Sequence, residues 1–326
     1  MRPERAYEMP GWCRNLIEAG RLRSGEEVLV VVDGPLVEQG SQLATAVKEA
    51  GGRPILELWA GRRPLLTPPP GVAAAAERAA LAFFVTEEPN AAEADARAQL
   101  AETMNTHGGR EIYLSFVTPE LLESELSQPP PDLAGPARRL LDELEGSEQI
   151  RIRGRAGTDL TLTVTGRAWK TDALPLADGG FANYPSGEVF VPPLKDGAEG
   201  VLVADLTVPY TVEGLVDEPV TLGFERGRVA EIAGGRAAQI LRELVADAGS
   251  GADVIAELGI GLNPAVKPRG HILLDEKAAN TAHVAIGNNA GRAFGGDNQA
   301  AIHVDCVFSE PQLEADGKPV PLPTVS

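Results

Sequence analysis

Short strand-like runs alternate with helix-like segments along the first 117 residues, and this alternation constrains the fold more than any other feature. Four runs are rich in apolar, β-branched and aromatic residues: EEVLVVVD (26–33), RPILELWA (53–60), LAFFVT (81–86) and EIYLSFV (111–117). Such runs are typical of buried strands. Because strand–helix alternation favours a parallel sheet flanked by helices, we predict an α/β N-terminal domain with a mostly parallel sheet.

A proline-rich segment, SQPPPDLAGP (127–136), breaks this pattern and predicts a connection between two domains. Beyond it, RIRGRAGTDLTLTVTGR (151–167) alternates with a period of two, as in a half-buried hairpin. One clear helix is predicted at 236–249 among further short strands. We therefore predict an α/β domain over residues 1–135 and an α+β domain with mostly antiparallel strands over residues 136–326.

The formal net charge of −18 argues against a nucleic-acid partner, because binding phosphates requires a basic face, and against docking on anionic membranes. The two cysteines, Cys13 and Cys306, are too few and too far apart in sequence to form a disulfide framework. The N-terminus lacks the apolar core of a signal peptide, and no stretch approaches the length of a membrane span. We expect a cytoplasmic protein.

Several common catalytic motifs do not occur in the sequence. It has no GxxxxGK[ST] loop, no GxGxxG after a strand, no HExxH and no GxSxG. These absences argue against the most frequent ATPase, dehydrogenase, zincin and α/β-hydrolase interpretations.

Three of the four histidines fall close together near the C-terminus, and two of them lie in strand-like segments. His303 and Asp305 are two residues apart in IHVDCVF (302–308), so on a strand both side chains point to the same face. His283 lies in AHVAIG (282–287). Two imidazoles and a carboxylate suit Zn, Co, Mn or Fe(II). The alternative is that each histidine is an ordinary polar residue, because short HxD matches are common by chance.

Two glutamates interrupt apolar, strand-like runs. Glu188 follows the PSG turn in NYPSGEVFVPP (183–193), and Glu257 lies inside ADVIAELGIGLNP (252–264). A buried carboxylate is costly unless it is paired or binds a metal, although both residues could also be strand-edge glutamates with their carboxylates in water. Three carboxylates and a bridging hydroxide would balance two divalent ions. With a single ion, one glutamate would be free to act as a general base.

The second part of the chain carries a set of ordered segments: GTDLTLTVTGRAW (157–169), NYPSGEVFVPP (183–193), LVADAGSGADVIAELGIGLNP (244–264), ILLDEKAANTAHVAIG (272–287), IHVDCVF (302–308) and the turn DGK (316–318). In content and order these segments resemble the metalloaminopeptidases of the aminopeptidase T, AmpS and PepS type. The resemblance covers most of residues 150–320. In the first domain it extends only to the α/β pattern.

This resemblance implies a metal-dependent hydrolase that cleaves an N-terminal peptide or amide bond of a small substrate with metal-activated water. It implies a cocatalytic pair of metal ions, with Glu188 and Glu257 as carboxylate ligands and one of them serving as a base. His283, His303 and Asp305 would be the remaining ligands. We expect one or two ions of Zn, Co or Mn. The family is typically homodimeric, so a homodimer is expected.

The sequence departs from this family at one informative position. The family usually carries a tyrosine seven residues after the first histidine, and Ala290 stands there in this chain. The segment between His283 and His303 is also shorter than in typical peptidases. A distant branch on a similar scaffold, the dihydroxypyridine ring-cleaving dioxygenases, uses Fe(II), for which two histidines and one carboxylate are a suitable ligand set. A mononuclear Fe(II) dioxygenase acting on a dihydroxypyridine-like N-heterocycle is therefore the alternative, and a non-catalytic protein on an old enzyme scaffold is a third hypothesis.

Overall fold

The computed structural model describes residues 7–87, 89, 93–291 and 294–323. The protein forms two compact units. The first comprises the chain up to Pro130 together with Pro175–Pro185, and the second comprises Pro131–Leu174 and the residues from Ser186 onward. The chain thus returns once to the first unit before it completes the second. The boundary expected between residues 135 and 136 stays a prediction.

The first unit contains a five-stranded parallel sheet with the strand order β2-β1-β3-β4-β8, numbered along the chain. The strands are β1 (Glu27–Val32), β2 (Arg53–Leu58), β3 (Leu81–Val85), β4 (Arg110–Leu114) and β8 (Phe181–Asn183). Every residue of β3 is buried, which is why this strand is apolar throughout rather than alternating.

Helices separate the strands of this sheet along the chain. They are α1 (Gly11–Ala19), α2 (Val37–Glu49), α3 (Pro70–Ala76), α4 (Ala94–Thr106) and α5 (Pro119–Glu123). Helix α2 ends just before Gly51, whose φ of 89° lies in the left-handed region that glycine adopts without a steric penalty. The prediction of an α/β unit with a parallel sheet is confirmed.

The second unit contains two antiparallel sheets. The seven-stranded sheet, in the order β12-β11-β10-β6-β5-β16-β17, is built from β5 (Gln149–Arg153), β6 (Asp159–Thr163), β10 (Ala198–Ala204), β11 (Val220–Glu225), β12 (Arg228–Ala233), β16 (Gln312–Ala315) and β17 (Lys318–Val320). The five-stranded sheet, in the order β15-β14-β13-β9-β7, is built from β7 (Lys170–Thr171), β9 (Glu188–Val191), β13 (Ile255–Gly261), β14 (Thr281–Gly287) and β15 (His303–Ser309). The predicted α+β arrangement with mostly antiparallel strands is confirmed.

Both sheets of the second unit share one apolar core with two helices, α6 (Ala134–Leu144) and α7 (Arg236–Ala248). A further short helix, α8 (Ile272–Asp275), lies between β13 and β14 along the chain. Leu140 of α6 and Leu241 of α7 are buried with Leu160 of β6 and Leu258 of β13 in the same cluster. Within the described ranges, no helix combines the length and the apolar character that crossing a membrane would require.

Candidate metal centre

The five residues predicted as metal ligands lie on four adjacent strands of the five-stranded sheet. Glu188 begins β9, Glu257 lies in β13, His283 in β14, and His303 and Asp305 in β15. Glu188, Glu257, His283 and Asp305 are buried, whereas the side chain of His303 is 21% exposed. The structure therefore brings together side chains that are up to 117 positions apart in sequence, Glu188 and Asp305 being the most distant pair.

Small residues lie opposite these side chains in the sheet. Each of the five has a glycine or alanine directly opposite it: Gly261 opposite Glu188, Ala285 opposite Glu257 and Asp305, Gly259 opposite His283, and Gly287 opposite His303. Directly opposite residues of an antiparallel pair project to the same face of the sheet. This face therefore carries the five functional groups among small residues, together with Phe190 opposite Gly259 and Val307 opposite His283. The intervening residues, such as Leu258 and Val284, belong to the apolar core.

The hydrogen bonding of His303 fixes the orientation of its ring. Nδ1 lies 2.6 Å from the backbone carbonyl oxygen of Asn288 and donates to it, since a carbonyl oxygen only accepts. Nε2 lies 3.2 Å from Oδ1 of Asp305. Burial lowers the pKa of His303, but the charge and hydrogen bond of Asp305 outweigh burial and raise the pKa to about 10. Histidines that bind a metal through one ring nitrogen donate the other ring N–H to a carbonyl or carboxylate oxygen, which orients the ring. Nδ1 of His303 makes such a bond, so Nε2 is oriented as a metal-binding nitrogen would be.

The imidazole of His283 faces three carboxylates. Its Nε2 lies 3.2 Å from Oε1 of Glu257, 3.6 Å from Oε2 of Glu188 and 3.9 Å from Oδ1 of Asp305. Burial lowers the pKa of His283, but the hydrogen bond with Glu257 and the surrounding negative charges raise it to about 9. The same charges act on Asp305: although burial raises its pKa, the two histidines lower it well below the usual range. These shifts show an electrostatic field that favours a cation among these groups.

These residues fit a divalent metal ion. Glu188, Glu257 and His283 each offer one ligand atom, and the three atoms lie within 4.8 Å of one another. Oε2 of Glu188 is buried and makes no hydrogen bond with any described residue. Imidazole nitrogens and carboxylate oxygens are the ligand set of borderline divalent ions. His303 and Asp305 extend the same set along β15. Their role as ligands stays a prediction.

A buried lysine that was not anticipated from the sequence lies beside Glu188. The side chain of Lys277 is fully buried and its ammonium group binds Oε1 of Glu188. Nζ also lies 3.0 Å from Oε1 of Glu276 and 3.4 Å from Oδ2 of Asp172. Burial lowers the pKa of Lys277, but these three carboxylates raise it well above the usual range. Burial raises the pKa of Glu188 to about 8, against the opposing effect of the lysine charge.

Asp172 fixes the backbone that carries Glu188. Its Oδ1 accepts hydrogen bonds from the backbone N–H groups of Gly187, at 2.8 Å, and Glu188, at 3.0 Å. Thr171 adds a hydrogen bond of 2.6 Å from its hydroxyl to the carbonyl oxygen of Glu188. The start of β9 is thus held by side chains as well as by its sheet partners.

The loop between β14 and β15 occupies the region where the sequence departs from the peptidase family. The side-chain amide of Asn289 is buried and donates to the carbonyl oxygen of Ala256 at 2.8 Å, so it holds the loop rather than a substrate. The ring of Phe294 stacks on the imidazole of His303, with the ring centroids 4.6 Å apart. An aromatic ring without a hydroxyl therefore covers the most exposed of the five predicted ligands.

Comparisons with known proteins place the second part of the chain in a defined group. The profile of the thermophilic metalloprotease family (M29) matches residues 136–322. Aminopeptidase AmpS of Bacillus subtilis (strain 168) is 30% identical over 182 residues, and aminopeptidase T of Thermus thermophilus is 31% identical over 182 residues. Each alignment covers 49% of this chain, and the chain spans only 43% of the length of each of these two relatives.

Solved structures resemble the fold over nearly the whole chain. The 2,5-dihydroxypyridine dioxygenase of Pseudomonas putida KT2440 gives a TM-score of 0.74 at 20% identity and covers 96% of this chain and 94% of that one. AmpT of Thermus thermophilus gives a TM-score of 0.66 at 22% identity, covering 94% of this chain and 97% of that one. At these identities the likeness is one of fold. Together with the family profile, it confirms the resemblance noted in the sequence.

Proposed function

Because this chain belongs to the thermophilic metalloprotease family (M29), we propose that it is a metal-dependent aminopeptidase or related amidohydrolase. The proposed reaction is hydrolysis of an N-terminal peptide or amide bond in a small substrate. The observation that supports it most is the sheet face on which two imidazoles and three carboxylates meet, each opposite a glycine or alanine.

Glu188, Glu257, His283, His303 and Asp305 would hold the metal, as one or two ions of Zn, Co or Mn. A divalent ion bound there polarises a carbonyl group and makes water a nucleophile at neutral pH. The protein supplies the orientation: Asn288 fixes the His303 ring, and Asp172 fixes the backbone of Glu188.

The two glutamates are the proposed catalytic groups. A general base accepts a proton from the attacking water and then donates it to the leaving amine. Oε1 of Glu257 lies 3.2 Å from Nε2 of His283, so this carboxylate lies among the same groups.

A cytoplasmic homodimer without nucleic-acid or membrane partners is part of the same proposal. Its dimeric state follows from the family resemblance. The two cysteines, Cys13 and Cys306, are buried thiols rather than a disulfide, which suits a reducing compartment.

Metal analysis combined with an activity assay tests the proposed function. The purified protein should contain Zn, Co or Mn, and it should release the amine from aminoacyl amides or dipeptides. Chelation should abolish this release, and adding back one of the three ions should restore it. A protein that contains only iron, or one that cleaves no aminoacyl amide with any of the three ions, would contradict the proposal.

A second candidate is a mononuclear Fe(II) ring-cleavage dioxygenase acting on a dihydroxypyridine-like N-heterocycle. The observation that favours it is the composition of the loop between β14 and β15. Ala290 stands where the peptidases carry a tyrosine, and the ring of Phe294 stacks on His303. His283, His303 and Asp305 would then hold the iron. Oxygen consumption by the iron-loaded protein with 2,5-dihydroxypyridine, and no hydrolysis of amides, would favour this candidate. The absence of oxygen uptake would count against it.

A further inference from the structure

Three carboxylates surround the ammonium group of Lys277 in the second unit. Glu188 contacts it directly, and oxygens of Glu276 and Asp172 lie 3.0 Å and 3.4 Å from Nζ. The exposed fraction of these side chains is 6% for Glu188, 5% for Asp172 and 14% for Glu276. Carboxylates buried this close together need a cation between them. Here that cation is the ammonium group of Lys277, which is part of the chain itself.

The backbone around Lys277 is held firmly. Its N–H donates to the carbonyl oxygen of Leu274 at 3.0 Å, and its own carbonyl oxygen accepts from the N–H of Asn263 at 2.8 Å. Two residues earlier, the fully buried carboxylate of Asp275 accepts three backbone N–H groups. These hydrogen bonds hold the backbone of Lys277 in place, so the ammonium group occupies a fixed position.

The contact with Lys277 leaves the two oxygens of Glu188 in different situations. Oε1 binds the ammonium group, whereas Oε2 faces His283 at 3.6 Å and makes no hydrogen bond with a described residue. Oε2 is thus the oxygen that has no competing hydrogen bond and that faces the proposed metal site. A carboxylate restricted to one oxygen uses one coordination position instead of two, which leaves more of the coordination sphere to water and substrate.

We propose that Lys277 is a positioning residue whose ammonium group serves as a built-in cation of the metal centre. It occupies the space between the carboxylates of Glu188, Asp172 and Glu276, which we call the carboxylate cradle and which would otherwise bind a metal ion. It also limits Glu188 to ligation through Oε2. This inference rests on the proposal that Glu188 is a metal ligand. It goes beyond it by assigning a role to Lys277, Asp172 and Glu276.

Removal of the ammonium group should convert the cradle into an additional metal site. Without it, three buried negative charges would face one another, and a divalent ion could compensate them. Lys277→Ala should therefore bind one more Mn²⁺ per chain than the wild type. Lys277→Arg, which keeps the positive charge, should bind the same number as the wild type.

The experiment counts Mn²⁺ by equilibrium dialysis and elemental analysis in wild type, Lys277→Ala, Lys277→Gln and Lys277→Arg. Lys267→Ala, at an exposed lysine of the same unit, is the matched control and should not change the count. A gain of one ion in the Ala or Gln variant supports the proposal, as does a Tm that rises more steeply with Mn²⁺ than that of the wild type. An unchanged count in both folded variants overturns it. Failure of both to fold at every Mn²⁺ concentration also counts against it, since Mn²⁺ should replace the lost charge.

A crystal structure of the Mn²⁺-loaded wild type provides the second measurement. Glu188 should bind the ion through Oε2 alone, with Oε1 on Lys277. Ligation through both oxygens would overturn the positioning role. A wild-type protein that binds no divalent ion at all would instead refute the proposed function, so the two failures are distinguishable.

Discussion

Gly259 lies directly opposite His283 in the β13–β14 ladder, and a Cβ atom at residue 259 would lie 2.1 Å from Cε1 of the imidazole. The ring therefore occupies the space that any other residue at position 259 would fill. Nδ1 of His283 makes no hydrogen bond with a described residue, so packing against Gly259 is a main determinant of the ring's orientation.

Gly259→Ala should displace the imidazole and weaken metal binding at least tenfold. Inserting a methyl group into so tight a contact should also cost about 1–3 kcal/mol of folding stability. Gly223→Ala is the matched control, because a Cβ atom there lies 3.8 Å from its nearest neighbour, Cβ of Glu231. Titration of both variants with Zn²⁺, together with thermal melting, checks the prediction. Equal affinities in the two variants would show that Gly259 does not set the position of His283.

His303→Ala and Asp305→Ala should each weaken metal binding by well over tenfold. The two side chains lie 3.2 Å apart, and each removes one proposed ligand when it is truncated. His107→Ala is a suitable control, because this exposed histidine of the first unit hydrogen-bonds to the carbonyl oxygen of Ala79 and is not a proposed ligand. Competition with a chromogenic chelator gives the affinities. If either variant retained the wild-type affinity, that residue would not be a ligand.

Metal affinity should rise with pH. The pKa values of about 9 for His283 and about 10 for His303 mean that both rings are positively charged imidazolium groups at pH 7 in the metal-free protein. Metal ligands must be deprotonated, and the pKa of about 8 for Glu188 adds a third proton, so binding should release about two to three protons. The affinity should therefore rise at least about a hundredfold per pH unit between pH 6 and pH 7. Calorimetry in buffers of different ionisation enthalpy measures the released protons. Binding without proton release would contradict this prediction.

The stability of the metal-free protein should change with pH in the opposite sense. A histidine whose pKa is higher in the folded than in the unfolded chain stabilises the fold fully below its unfolded pKa of about 6.5. This contribution should be lost as the pH rises through about 9 and 10, the pKa values of His283 and His303. Metal-free His303→Ala should lose part of this dependence.

The features that sequence reasoning predicted are those with a local signature. Strand–helix alternation indicated the parallel sheet because burial on both faces makes a strand apolar throughout, as in β3. The spacing of His303 and Asp305 predicts their proximity, because residues two apart on a strand point to one face. The position of Glu257 predicts a functional role, because a charge inside an apolar run needs a partner.

The features that were not predicted depend on contacts between distant parts of the chain. Lys277 meets Asp172 across 105 positions, and neither residue lies in a run whose period marks it as buried. Likewise, the strand β8 (Phe181–Asn183) is only three residues long, too short to show a pattern. The glycines Gly259 and Gly261 were a usable signal: alternating small residues within a strand indicate that something else occupies that face.

Asp275 should be one of the most important single residues for stability in the second unit. Its carboxylate is fully buried and accepts backbone N–H groups of Arg269, Gly270 and His271, at 3.0, 2.6 and 3.0 Å. The hydroxyl of Thr207 donates a further hydrogen bond at 2.5 Å. Asp275→Asn replaces one accepting oxygen by an NH₂ group that faces donors, so it should cost about 1–3 kcal/mol or more. Asp217→Asn, at an exposed position, should change stability by less than about 0.5 kcal/mol. Urea denaturation of both variants tests the difference, and equal midpoints would show that the buried carboxylate contributes little to the fold.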